Sequence, residues 1–326
     1  MYITDESIDD LLTKIYKKIQ QKGKRVDATR GANLEILGVN ICLKNPRSRL
    51  SRSLSKGKVF SAVGELLWYL SGDNSLDFIC HYLSKYGVNS DDGKTIHGAY
   101  GPRLFGTNNG INQITNVIKL LKRRASSRRA VIALFQAEDI CEHYRDIPCT
   151  TTMQFVIRDS FLHMFVSMRS NDAYKGLPHD IFAFTMIQEL VAKSLGLNLG
   201  HYHHAVSSLH LYDADLGPVT SYLEEGYQQI LNMPDMPNID PWEALNKVLI
   251  IEKKIRLGND VNLENIALHD YWKDICRLLK YFNYLKSDDL PMCEAIIKSI
   301  KNDFYIPYLK NKTLEKKKQK EQLNLI

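Results

Sequence analysis

Two short stretches of alternating apolar character, Thr152 to Ile157 and Leu162 to Ser167, are joined by Arg158, Asp159 and Ser160. A period of two marks a half-buried strand, and so short a polar connection suits a hairpin. The same test assigns strands to Leu34–Leu43, Ala130–Phe135 and Leu199–Ser207. Ile8–Gln21, Ala62–Leu70, Ile111–Lys122 and Phe182–Leu195 carry apolar residues at helical spacing, with Asp5 and Ser7 placed to cap the first. Strands interrupted by helices without regular βαβ winding predict an α+β fold, a mostly antiparallel sheet flanked by helices.

Strand patterns cease after about Asp215, and prolines punctuate Pro234 to Pro241. From there to about Tyr308 the pattern is helical, which predicts a main domain over 1–220, a helical region packed on it over 221–310, and a basic tail over 311–326, disordered or a helix end. With 326 residues, 44% hydrophobic and 25% charged, the chain has the balance of a soluble globular protein. The formal charge of +6 thickens at Lys316, Lys317, Lys318 and Lys320; such runs are usually solvated ends, so no nucleic-acid partner is expected. Acids rather than a basic and then apolar segment fill Met1–Asp10, and no apolar run nears the ~20 residues of a membrane span. The six cysteines are scattered without a Cys-x-x-Cys pair, which predicts a reduced, cytoplasmic protein. On a strand, His201, His203 and His204 put two imidazoles on one face with no third ligand near, so no metal is expected.

Polar residues gather around two points of this frame. Asp146-Ile-Pro-Cys-Thr-Thr-Thr-Met-Gln-Phe155 sets Cys149 after a proline and just before a strand. Met168-Arg-Ser-Asn-Asp-Ala-Tyr-Lys-Gly-Leu-Pro-His-Asp-Ile181 ends a strand with Arg169, Ser170, Asp172 and Asp180 between two apolar segments. A free cysteine is ordinarily a core residue, and a polar loop is ordinarily solvated. Together they make a candidate site.

These elements resemble the thymidylate synthase and deoxycytidylate hydroxymethylase family. The resemblance rests on Pro148-Cys149 with Gln154-Phe155, on Arg169-Ser170-x-Asp172 followed by Gly176-Leu-Pro178, and on His210-Leu-Tyr212. Ser127-Arg-Arg129 and Gly64-Glu-Leu-Leu-Trp-Tyr-Leu-Ser-Gly-Asp73 extend it, in order, over about Arg30 to Asp215. It implies that Cys149 adds to C6 of a pyrimidine nucleoside monophosphate so that C5 can take one carbon from 5,10-methylenetetrahydrofolate; a thiolate both adds and leaves well. Arg169, through its positive charge, is expected to lower the thiol pKa. By the same resemblance Glu65 manages protons around the ring and Tyr100 assists at C5, a buried structural tyrosine being the other reading. Arg30, Arg128, Arg129, Arg169, Ser170 and Gln154 bind the substrate, the arginines at its phosphate. His210 and Tyr212 hold the sugar hydroxyl, and Asp172 and Gly176 meet the folate. Arg30 stands a couple of residues off the family register. In the family the arginine pair reaches into a neighbour's site, which implies a homodimer.

Departures from the synthase pattern bear on the reaction. Where synthases carry Asn, this chain has Asp180 after His179, as deoxycytidylate hydroxymethylases do. A carboxyl group can accept from the amino group of cytosine and share a proton with N3. Thr150-Thr-Thr152 also resembles the hydroxymethylase pattern, and Tyr86–Tyr100 lacks the tryptophan with which synthases shield the methylene intermediate. The last hundred residues do not resemble the synthase ending, which bears on hydride transfer from folate. The leading expectation is therefore a cytidylate or deoxycytidylate 5-hydroxymethylase. The alternatives are a thymidylate synthase with altered base choice and an inactive member that binds nucleotide or nucleic acid.

Overall fold

The computed structural model describes residues 1–28, 30–106 and 110–323. Among them are seven strands: β1 (Tyr2–Asp5), β2 (Lys24–Ala28), β3 (Gly31–Leu43), β4 (Val131–Ala133), β5 (Thr150–Arg158), β6 (Phe161–Asp172) and β7 (Asn198–Tyr212). They form one sheet in the order β1-β3-β7-β6-β5-β4, with β2 also paired to β3. Around it run α1 (Ile8–Lys22), α2 (Val59–Leu70), α3 (Leu76–Tyr82), α4 (Tyr100–Phe105), α5 (Gln113–Arg123), α6 (Gly176–Leu195) and α7 (Leu216–Glu224). The Ser7 side chain caps α1 by accepting from the Asp10 N–H.

The expected hairpin joins β5 to β6, and it turns through Asp159 and Ser160 at φ of 49° and 64°. Two-residue connections between right-twisted strands favour this left-handed region. Four of the six strand pairings are antiparallel, but β6 pairs with β7 and β1 with β3 in parallel. For β6 and β7 the reason lies in α6, a 20-residue crossover that returns the chain to the end of the sheet where it began. Both β6 and β7 also outrun their alternating patterns, to Asp172 and Tyr212, because their last residues face a cavity rather than the core.

Helix α6 is buried through almost its whole length and packs on β6, β7 and α2. Apart from Ser61, α2 is itself buried from Val59 to Leu70. A helix apolar on all sides belongs inside, so its single acid, Glu65, is an exception that calls for a function. The opposite face of the sheet keeps Phe165 39% exposed, beside half-buried Gln154 and His203.

Contacts divide the chain into Met1–Leu231 and Asn232–Ile326. The expected division at 220 therefore falls inside α7. That helix is tied to the first unit: Tyr222 Oη donates to Asp9 Oδ1 at 2.8 Å, and Glu225, the residue that follows α7, accepts from the Leu54 and Ser55 N–H groups. In the second unit α9 (Asp270–Lys286) packs on α8 (Pro241–Arg256) and α10 (Leu290–Ser299). Buried Asp274 holds Arg277 at 2.7 Å and accepts from the N–H groups of Lys301 and Asn302. The lysine-rich end is helical as far as Leu323, in α11 (Ile306–Leu323), with Lys316 and Lys320 on Asp288 and Lys317 on Glu294. No helix among the described residues is long and apolar enough to cross a membrane.

Candidate active site

A cavity of about 1010 Å³ opens in the first unit where the ends of β6 and β7 meet α2 and α6. Each wall follows from a pairing already described. Cys149 immediately precedes β5, and the Arg169 N–H on β6 donates to its carbonyl at 2.9 Å, so the two residues stand side by side. The β5 register slips between Thr150 and Thr152, a bulge of the kind that re-aims a strand end beside a site. Pairing of Asp172 with His210 brings Arg169, Ser170 and Asp172 against His210 and Tyr212. The first turns of α6 supply Gly176 and Asp180, α2 supplies Glu65, and Tyr100 opens α4.

Hydrogen bonds fix these groups. Arg169 donates from Nε to the Pro148 carbonyl (3.0 Å) and from Nη2 to the Ile147 carbonyl (2.9 Å), bracing the chain that leads into Cys149. Arg30 donates to Asn89 Oδ1 and to the Arg145 carbonyl. Tyr100 Oη accepts from the Thr150 N–H at 3.1 Å and the Thr150 hydroxyl at 2.9 Å, which leaves its own hydrogen to give. Asp172 Oδ1 accepts from the N–H groups of Tyr174 and Lys175, and Ser170 Oγ lies 3.5 Å from His210 Nδ1.

Burial dominates the electrostatics. It pushes Glu65 up to about 7, against the Tyr69 hydroxyl that donates to Oε1 at 2.9 Å, so near neutral pH this acid can give or take a proton. Burial also holds Asp180 well above the carboxylate range, the nearby Glu65 adding to the shift, although Asn171 Nδ2 donates to Oδ2 at 2.6 Å. Asp180 thus favours its neutral, protonated form more than an ordinary carboxyl does. Burial likewise leaves His179 neutral, lowered to about 4, with Nε2 2.8 Å from Ser61 Oγ. The expectation for Cys149 is corrected. Arg169 does lower its pKa, but burial outweighs it and Asp180 and Asp146 add to the rise, so the thiol lies above its ordinary value.

Arg30, Glu65, Tyr100, Cys149, Arg169, Ser170, Asp172, Gly176, Asp180, His210 and Tyr212 all line the cavity. Gln154, Arg128 and Arg129 do not. Both arginines are exposed, and Gln154 lies on the other side of the sheet with Nε2 on the Arg128 carbonyl at 2.9 Å. The sequence did not single out Asn171, the unnamed position of Arg-Ser-x-Asp, nor Tyr69, one helical turn beyond Glu65, though the spacing of the second was readable. It also passed over Lys56, which is buried against Tyr174 and lowered to about 7 by desolvation. Away from the cavity, the expectation that His201 and His203 have no third ligand is corrected. Cys42 pairs across from His203 on β3, and ligand atoms of all three lie within 4.8 Å of one another.

The volume is at the upper end of the roughly 300–1,000 Å³ typical of ligand pockets, room for two ligands side by side. Lys56, Lys58 and Lys85 also stand on its wall. The sequence model of the thymidylate synthase family matches residues 8–274. The chain is 28% identical over 290 residues to the deoxyuridylate hydroxymethyltransferase of Bacillus phage SP01, covering 83% of this chain and 72% of that protein. It is 28% identical over 265 residues to the thymidylate synthase of Buchnera aphidicola subsp. Baizongia pistaciae, covering 78% and 94%. A third relative, the deoxyuridylate hydroxymethyltransferase of Delftia phage PhiW-14, is 28% identical over 226 residues, 65% of this chain and 62% of that protein. With most of its length matched, the chain belongs to the thymidylate synthase family, one-carbon transferases whose co-substrate is methylenetetrahydrofolate.

Proposed function

We propose that this enzyme hydroxymethylates C5 of a cytosine nucleotide, dCMP or CMP. The observation that carries the reading is Asp180, a buried acid at the cavity wall that accepts from Asn171 and is pushed by burial toward its protonated form. A neutral carboxyl presents one donor and one acceptor, the complement of N3 and the exocyclic amino group of cytosine. Cys149 adds to C6, its proton leaving as the thiolate forms; the substrate phosphate, once bound, draws charge from Arg169. Glu65 and Tyr100 move protons at the ring, Arg30, Arg169 and Ser170 hold the phosphate, and His210 and Tyr212 hold the sugar. The folate, when bound beside Asp172 and Gly176, supplies the carbon.

A homodimer belongs to the same reading. Arg128 and Arg129 do not line their own chain's cavity, and Gln154, on the opposite face of the sheet, holds the backbone of Arg128. A cytoplasmic setting is supported by six free cysteines, Cys141 among them exposed. The second reading is a uracil nucleotide as substrate, which the names of the relatives favour, because the acid with its proton on the other oxygen also fits N3–H and O4. Incubation with CMP, dCMP, UMP or dUMP and methylenetetrahydrofolate, followed by mass spectrometry, separates them. Preference for the cytosine nucleotides bears out the first reading, and preference for the uracil nucleotides the second. Asp180→Asn should move the preference toward uracil. Dihydrofolate formed with dUMP as the preferred substrate would instead make the chain a thymidylate synthase.

A further inference from the structure

Asp146 stands at the Cys149 end of the cavity. It lies three residues before Cys149 and lines the same space as Glu65, Tyr86 and Tyr100. Its place is set from several sides. The carbonyl before it, of Arg145, accepts from Arg30, and the carbonyl after it, of Ile147, accepts from Arg169. The side chain rests against Gly98, two residues from Tyr100, so closely that a Cβ there would lie 2.4 Å from Oδ2. Tyr144, two residues earlier, stacks on His97 at 3.6 Å, and His97 is held by Asp139.

Although so placed, the Asp146 carboxyl receives no hydrogen bond among the described residues, while the other acids of the cavity have Tyr69, Asn171 or backbone N–H groups. A half-buried carboxylate left open toward a cavity is suited to bind water. The charges facing it are Arg30, Arg169, His97 and Arg103, which lower its pKa, and burial prevails and holds it at about 6. Glu65 and Cys149 feel its charge in turn. It is ionised in the neutral range and still basic enough to take a proton.

Resting on the hydroxymethylase reading, we propose that Asp146 is the base that holds and deprotonates the water that completes the hydroxymethyl group. At that stage the substrate carries an exocyclic methylene on C5 and Cys149 on C6. The water oxygen bonds to the methylene carbon, its proton passes to Asp146, and the electron pair of the exocyclic double bond moves into the ring. Expulsion of the Cys149 thiolate from C6 then restores the ring double bond. No hydride moves, so the folate leaves as tetrahydrofolate. The lack of a tryptophan in Tyr86–Tyr100 fits a site that admits water at this carbon.

The test compares the wild-type enzyme with Asp146→Asn and Asp146→Leu. Both variants should still release tritium from C5 of the substrate, a step before water addition, and lose hydroxymethyl product by about 100-fold or more, the usual reach of general base catalysis. Added thiol should intercept the waiting methylene as a thioether in the variants. Without any ligand, thermal unfolding gives an independent check. A raised carboxyl pKa stabilises fully below about 4 and is lost as pH rises through about 6; the wild type should lose stability over that window relative to Asp146→Asn. Hydroxymethyl product within threefold of wild type in both variants would overturn the role of Asp146 while leaving the hydroxymethylase reading intact. A wild-type enzyme that makes methyl product and dihydrofolate would overturn both.

Discussion

The Cys149 thiol sits above its ordinary pKa because desolvation outweighs Arg169. If Cys149 is the nucleophile, as proposed, Cys149→Ala should abolish both product and tritium release from C5; exchange surviving in that variant would exclude a C6 adduct. Glu65 offers a test that needs no substrate. Its pKa rises from 4.5 to about 7, so it contributes full stability below about 4.5 and loses it as pH climbs through 7. Glu65→Gln has no such charge to bury. It should unfold like the wild type at pH 4 and be stabilised by up to about 3 kcal/mol at pH 8, the shift converted at about 1.4 kcal/mol per unit. Denaturant unfolding at the two pH values measures the difference, and equal offsets at both would remove burial as the cause.

Among the elements, α2 bears the tightest constraint, since it carries Glu65 into the cavity while packed on α6 and α3. Gly64 makes the close approach to α3 possible: a Cβ there would fall 2.2 Å from Cγ of the Tyr82 ring. A buried ring cannot swing aside as a flexible chain end does, so Gly64→Ala should cost about 1–3 kcal/mol and lower the melting midpoint by several degrees. Gly217, early in α7, meets nothing within 4 Å and serves as the contrast. Gly217→Ala should be neutral or slightly stabilising, by up to about 1 kcal/mol from helix propensity. Differential scanning calorimetry of the two proteins checks both, and an unchanged midpoint for Gly64→Ala would mean that α3 yields freely.

At the scale of the molecule, a single chain does not bring its exposed Arg128 and Arg129 to the cavity they are proposed to serve. Two copies sharing sites remove the discrepancy, and mixing separates this from a role in folding. Cys149→Ala protein and Arg128→Ala, Arg129→Ala protein, each inactive, should regain activity when subunits exchange, because one hybrid site contains both intact sets. Assay of the mixture against each parent, with exchange followed by a mass tag, gives the answer; exchange without rescue would confine the arginines to their own chain.

The sequence by itself determined what is local or carried by ordered motifs. Alternation gave β5, β6 and the turn at Asp159 and Ser160, helical spacing gave α1 and α6, and most of the residues named from the motifs between Glu65 and Tyr212 line the cavity. Periodicity reports which way a side chain faces and not what it meets. Tertiary structure alone made β6 parallel to β7, through the return path of α6, and set Cys42 beside His201 and His203, across a pairing of strands far apart in the chain. It alone decided the proton affinities, because desolvation depends on everything packed around a group: Asp180 is raised well above the carboxylate range, Glu65 is poised near 7, and the Cys149 thiol is raised despite its arginine. Asp146, an unremarked acid in a loop, acquires its place only when Gly98, Arg30 and Arg169 close around it.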